Sequence, residues 1–326
     1  MMQIDQVRLE DGDVAVSILN FGAITHGWWV PCGGTSVPVV LGYDDPRTYL
    51  QESAYLGAIV GRIANRTAGG KLLLGHEAFQ LSQNEGITHL HGGFDGLHRR
   101  FWAMERDTAA RQVQLSYTSR DGEEGYPGTA EITITIALQG STLTYDMQAY
   151  VDRPTPINLA QHNYYNLLGQ GAIWNHTLTC AADRMTPVDD AGITTGALES
   201  VVGTPLDFRS GATFQANDPN HMGADTNLVL PDDHDPQSLS AVVHAPNGLR
   251  LRMWSDQPGM QLYTGAGLSG RAGAHAQQEI APFAGFCLEP QGFPDAVNTP
   301  NFPSIIVTPD APYRQKLSVE IKQASP

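Results

Sequence analysis

The sequence predicts an all-β fold, a large antiparallel β-sandwich, and three observations predict it. Apolar and polar residues alternate with a period of two in several bounded segments, the pattern of strands with one buried face. No stretch of about 12 residues or more carries the 3.6-residue periodicity of an amphipathic helix. The 326 residues include 34 Gly and 21 Pro but only 16% charged residues, against roughly 25% in a typical soluble chain, so turns are many and long helices few.

Taken in order, "VQLSYTSRDGEEGYPGTAEITITI" (113–136) reads as a strand pair around a Gly-rich turn. "AEITITIALQ" (130–139) and "LTYDMQAYV" (143–151) alternate cleanly and are joined by "GST", a connection short enough for a hairpin. "LRLRMWS" (249–255) is a further alternating strand. No repeat of fixed length and no low-complexity linker divides the chain, so residues 1–326 are read as one domain. A β-propeller would also resolve the edge-strand problem, but it calls for a repeat of about 40–50 residues that is missing.

A formal net charge of -15 repels phosphate backbones and anionic lipid, and no Lys/Arg cluster interrupts it. Nucleic acid is therefore an unexpected partner. The opening "MMQIDQVRLEDGDVAV" lacks a basic start followed by an apolar core, and no run approaches 18 apolar residues. A cytoplasmic protein without membrane contact is expected. Cys32, Cys180 and Cys287 are odd in number and widely spaced, as reduced packing residues would be.

Five stretches could carry chemistry. "GRIANRT" (61–67) places Arg62 and Arg66 in a chain poor in bases, either as structural ion pairs or as planar donors for hydroxyls or a carboxylate, and Asn65 and Asn84 suggest tight turns nearby. "THLHGG" (88–93) puts His89 and His91 on one strand face, open to metal ligation as in a cupin-like barrel, to packing, or to catalysis and substrate binding. "NLAQHNYYNLLG" (158–169) surrounds His162 with Tyr164, Tyr165 and asparagines, which suits either a structural histidine or a sugar-stacking surface. "GAGLSG" (265–270) matches a dinucleotide fingerprint, but the following "RAGAHAQQEIAP" has no helical apolar face, so it reads as a loop between strands. Last, "FAGFCLEPQ" (283–291) sets one carboxylate, Glu289, at the end of an apolar run. Burying it unpaired shifts its pKa or demands a partner.

Six ordered motifs resemble the aldose 1-epimerase (galactose mutarotase) family. They are "GRIANRT"; "THLHGG", with Arg66 and His91 25 residues apart; "GEEGYPG" (122–128); "HNYYNL" (162–167); "PGMQLYTG" (258–265); and "EPQGFPDAVN" (289–298). The resemblance implies a large antiparallel sandwich bearing a sugar cleft. It also implies Glu289 as general base, His162 as general acid and His91 as a second imidazole at the ring oxygen. By the same resemblance Asn65, Arg66, Asp225 and Gln261 hold the sugar. The chain departs from the family where "ADTN" (224–227) replaces a Tyr-Asp-His-Asn, where Ala266 replaces an Asn, and where Tyr165 replaces a Phe.

The implied reaction interconverts the α and β anomers of a pyranose. A base takes the proton of the anomeric hydroxyl and an acid gives one to the ring oxygen, so that the ring opens to the aldehyde, and after rotation about C1–C2 it closes on the other face. It needs no metal or other cofactor. The expected partner is a neutral monosaccharide, with the protein a monomer or a homodimer. Apolar surroundings should raise the pKa of Glu289, and a nearby carboxylate should help His162 keep its proton. The alternatives are a hexose-6-phosphate epimerase, a non-catalytic sugar-binding module of the same fold, and a metal-dependent cupin-like enzyme.

Overall fold

The computed structural model describes residues 3–51 and 54–324. Its largest element is a nine-stranded sheet, ordered Ala103–Asp107, Gln112–Ser119, Ala130–Gln139, Thr142–Val151, Tyr313–Gln323, Leu249–Ser255, Ala241–His244, Thr177–Cys180 and Ala212–Thr213. A five-stranded sheet runs Glu199–Ser200, Arg184–Thr186, Asp225–Val229, Gly259–Tyr263 and Cys287–Gln291, and a four-stranded sheet is built from Gln6–Asp11, Val14–Leu19, Thr25–Cys32 and Thr35–Pro38. All strand pairings in these three sheets are antiparallel. The one α-helix among the described residues is Phe214–Asn217, and no helix is long and apolar enough to cross a membrane.

The alternation read in the sequence becomes one face of the core. Ile132, Ile134, Ile136 and Leu138 of one strand and Leu143, Tyr145, Met147 and Ala149 of the next are fully buried, and the register pairs Gln139 with Thr142. That leaves Gly140 and Ser141 as a two-residue turn, with Gly140 at φ 57°. The buried side chains of these two strands pack in one cluster with Val16, Ile18 and Trp28 of the four-stranded sheet and with Leu228, Met260, Leu262 and Leu288 of the five-stranded sheet. Each fully buried Leu or Ile contributes about 1.5–3 kcal/mol relative to exposure.

This packing positions the site. Leu228, Met260, Leu262 and Leu288 point into the core, so by the two-residue period their neighbours Asn227, Gln261, Cys287 and Glu289 point to the opposite face of the five-stranded sheet. That face, polar in the middle of a buried sheet, is the floor of a cleft.

Candidate active site

The "GRIANRT" and "THLHGG" stretches form one unit over this floor. Arg66–Thr67 pairs with His89–Leu90, and Asn65 and His91 then stand opposite each other, both at positive φ. The His91 N–H donates to the Asn65 carbonyl at 3.1 Å, and the Asn65 N–H donates to His91 Nδ1 at 3.1 Å. An imidazole that accepts at Nδ1 while neutral carries its proton at Nε2. His91 is held neutral because burial, with His162 beside it, pulls its pKa well below the usual value. Gly92 follows with φ 90°, and a Cβ there would collide with the Gly61 carbonyl, which is why the loop turns on glycine.

Asn65, Arg66, His91, His162, Asp225, Gln261 and Glu289 all line one cavity of about 280 Å³, together with Tyr55, Glu85, Tyr164 and Tyr263. His162 follows the short strand Ala160–Gln161, which pairs with Ile59–Val60, and its N–H donates to the Ala58 carbonyl at 2.8 Å. His162 Nε2 lies 3.7 Å from Glu289 Oε1, and its Nδ1 lies 3.6 Å from Cys287 Sγ. Arg66 grips Glu85 with two bonds (2.7 and 3.0 Å) and reaches Asp225 at 3.3 Å. Asp225 in turn accepts from Gln261 Nε2 at 2.6 Å, and Gln261 is the cross-strand partner of Glu289.

Burial dominates the electrostatics of the pair. The Glu289 carboxyl is pushed well above its ordinary value, first by desolvation and then by the Asp225 charge. The source of that desolvation differs from the one expected. Phe286 and Leu288, which precede Glu289 in the chain, belong to the sandwich core on the other face of the strand, and the groups that cover Glu289 come from elsewhere, including His162 and Tyr164. His162 corrects a second expectation. A carboxyl group does stand beside it, yet burial dominates and lowers its pKa to about 4.

Several residues singled out in the sequence lie outside the cleft. Arg62 is 2% exposed and spends all five N–H groups on Ser119 Oγ, the Ser119, Arg120 and Pro127 carbonyls and Thr155 Oγ1. His89 is bonded at both ring nitrogens, to Ser82 and to the Tyr126 hydroxyl. Asn84 exchanges two bonds with the Leu90 backbone. Tyr165 is fully buried, with its hydroxyl accepting from Asn163 Nδ2 and its ring against Phe286, so of the two adjacent tyrosines only Tyr164 faces the cleft. "GAGLSG" is a loop with no helix after it, and its Gly267 and Leu268 reach the cleft rim. The departures Ala224 and Thr226 line a second cavity that shares Asp225 with the cleft, and Ala266 lies outside the cleft lining.

Sequence reasoning passed over Glu85 and Tyr55. Glu85 begins the tight turn Glu85–Thr88, whose ends bond to each other, and the "NEG" just before "THLHGG" was its one signal. Tyr55 packs on both His91 and His162, at ring distances of 4.7 and 5.7 Å, and sits in no motif.

His91, His162 and Glu289 bring one donor atom each within 4.8 Å of one another, close enough to invite a metal ion. The chemistry of the set does not fit one. With Nδ1 occupied by the Asn65 N–H, His91 has its proton on Nε2 and no lone pair to offer there unless that bond breaks. What it presents to the cleft is a fixed neutral N–H donor.

Comparison with known proteins bears on the family and the fold. The aldose 1-epimerase family model matches residues 5–320. The chain is 36% identical to a rat protein named galactose mutarotase over 315 residues, 95% of this chain and 92% of the rat protein. It is 33% identical to the aldose 1-epimerase of Escherichia coli K12 over 300 residues, 89% and 86% of the two chains. The crystal structure of an aldose epimerase homologue from C. elegans superposes with a TM-score of 0.93 at 26% identity, covering 99% of this chain and all of that one. A buried carboxylate and two imidazoles in one sugar-sized cleft, on a sandwich matched from end to end, leave one assignment: the chain belongs to the aldose 1-epimerase family.

Proposed function

We propose that Glu289 and His162 are the acid–base pair with which this aldose 1-epimerase family member interconverts the α and β anomers of a neutral aldose. The observation that carries the reading is the pair itself. The two groups lie 3.7 Å apart and buried, in a cleft that also offers the His91 Nε2–H.

Glu289 accepts the proton of the anomeric hydroxyl while His162 donates one to the ring oxygen, toward which the neutral His91 also donates a hydrogen bond. The ring opens to the aldehyde, C1–C2 rotates, and the same transfers in reverse close the other anomer. Ring opening turns the carboxylate–imidazolium pair into the acid–imidazole pair, and ring closure restores it. The site therefore gains from an environment that disfavours both charges, the direction in which burial pushes both groups. Asn65, Arg66, Asp225 and Gln261 hold the remaining hydroxyls, and no step calls for a metal or another cofactor.

Charge favours a neutral sugar over a sugar phosphate. Arg66 is the one Lys or Arg among the described residues of the cleft lining, and Glu85 and Asp225 already neutralise it while Glu289 adds a third carboxyl group. A phosphate dianion would enter a site with no free cation. We also propose a cytoplasmic location and a monomeric or homodimeric state, which cell fractionation and analytical ultracentrifugation test.

Polarimetry on freshly dissolved α-D-glucose and α-D-galactose decides the function. Equilibration is expected to be faster with the protein than without it, and slower on glucose 6-phosphate than on glucose. Calorimetric sugar binding without faster equilibration over a broad panel of aldoses would identify a binding module instead.

A further inference from the structure

A row of polar side chains crosses the cleft-facing side of the five-stranded sheet and continues past the cleft. The register sets Thr186, Asn227, Gln261 and Glu289 side by side on four successive strands. Gln291 lies two residues beyond Glu289 on the same face, opposite Gly259. All five are at most 4% exposed. Thr186 Oγ1, both amide atoms of Asn227, Gln261 Oε1, Glu289 Oε2 and both amide atoms of Gln291 have no protein partner, and they are seven of the thirteen such buried side-chain atoms among the described residues. The concentration is therefore local to this row.

A sugar does not account for it. Gln261 and Glu289 line the cleft, but Thr186, Asn227 and Gln291 do not. A buried amide or hydroxyl left unpaired loses its hydration with nothing in return, so five neighbouring side chains would not be left so. Strands spaced about 4.8 Å apart hold in-register side chains at a distance that one water spans with two hydrogen bonds, and a buried water needs two to four polar partners, which the row supplies. Gly259 keeps the space open: a Cβ there would stand 2.5 Å from Asn227 Oδ1 and 3.0 Å from the Phe293 ring. Asn227, Gly259 and Gln291 all fall in sequence motifs of the chain, yet the acid–base reading gives none of them a task.

We propose that ordered water fills this row behind the cleft and that Asn227 and Gln291, acting through it, are positioning residues that stabilise the Glu289 carboxylate. This rests on Glu289 being the base. The titratable groups that face Glu289 are His162, His91, Asp225, Tyr164 and its strand neighbour Cys287. The row on its other side is uncharged and stabilises the anion by hydrogen bonding alone.

Two measurements test the proposal. A high-resolution crystal structure of the sugar-free protein is expected to show water bonded to Asn227, Gln291 and Glu289 Oε2, and a dry row with the amides paired to protein groups would overturn it. In kinetics, Asn227→Leu and Gln291→Met should each move the alkaline limb of the kcat/KM–pH profile, set by Glu289, upward by about one unit. KM should stay within about twofold, and Asn227→Ser, which keeps a hydroxyl and admits water, should bring the limb back. A purely structural role would lower Tm and leave the limb in place, and that result also overturns the proposal. Should Asn227→Leu not fold, Gln291→Met, Asn227→Ser and the crystal structure decide. Ordered water with an unmoved limb refutes the role and spares the base, whereas full activity in Glu289→Gln refutes the base and leaves the water.

Discussion

Arg62 and Arg66 are four residues apart in one motif and end in opposite situations. Around Arg62 every donor is met: five N–H groups find five acceptors, the Tyr126 ring lies 5.4 Å away, and Glu123 and Glu124 of "GEEGYPG" tie the adjoining loops to Tyr117, Ser119 and the Phe94 and Asp95 N–H groups. Around Arg66 the polar groups are only partly met. Arg66 shares itself between Glu85 and Asp225, while Glu289 Oε2 and Gln261 Oε1 bond to nothing in the protein. Both regions are polar, the first fully buried and the second half-buried at the cleft. The difference teaches that saturation marks scaffold, and that polar capacity left open on a rigid base marks the place where a ligand or water completes the structure.

The comparison breaks most sharply at Glu289. Glu289→Gln should lower kcat by about 10²–10⁴-fold, the usual worth of a positioned acid or base. Its effect on stability should have the opposite sign. A carboxyl whose folded pKa lies above its unfolded one loses stability as pH rises through that window, so replacing it with a neutral amide should leave Tm at pH 7 unchanged or higher. Polarimetry and thermal melts on the same preparation check both. A lower Tm would place Glu289 with the scaffold.

Arg62→Met should do the reverse. It removes a buried cation and strands its acceptors, a loss of about 3–5 kcal/mol. Any protein that folds should keep its KM, because Arg62 does not line the cleft. Denaturant melts and KM for glucose measure the two sides, and a large rise in KM at full stability would erase the distinction between the two arginines.

Acid tests scaffold and cleft together. Burial lowers His162, His26 and His176 to about 4 and His98 to about 3, from 6.5. Because the folded values are depressed, the stability these residues hold is fully present above 6.5 and is lost as pH falls toward about 4. Tm should therefore drop steeply between those values. Activity should fall off near pH 4 as well, where the pair takes on a second proton, and on the alkaline side, where it loses its only one. An activity loss well above pH 5 with Tm unchanged would show that the cleft titrates apart from the scaffold.

Much of this was legible in the sequence, for reasons that vary with the residue. The strands 130–139 and 249–255 appear with the bounds the alternation gave, since a one-sided sheet writes its burial directly into the chain. Seven of the cleft residues were named from the sequence, and they converge because two tight turns at positive φ, the short strand before His162 and one sheet face aim them at the same point. Other features left no mark. His89 and His91 share a strand pattern, and only the hydrogen bonds at their ring nitrogens separate a packing histidine from a donor. The proton balance of His162 depends on how deeply the fold buries it, and the apolar run before Glu289 misled because Phe286 and Leu288 face the other way.

The mildest test concerns Glu85, the cleft residue that the sequence concealed. Its carboxylate takes two of the Arg66 donors, so it fixes the plane of the guanidinium and leaves Nη1 for Asp225. Glu85→Gln keeps the size but weakens a charge-assisted pair worth about 1–2 kcal/mol in this half-buried setting. Arg66 then turns more freely toward Asp225, which loosens the hold of Asp225 on Gln261. KM for the sugar should rise roughly 5–20-fold, with kcat close to unchanged because the His162–Glu289 distance does not depend on Glu85. If kcat fell instead and KM stayed, Arg66 would belong with the acid–base pair and not with the groups that hold the sugar, and the line between the two arginines would have to be drawn through the cleft itself.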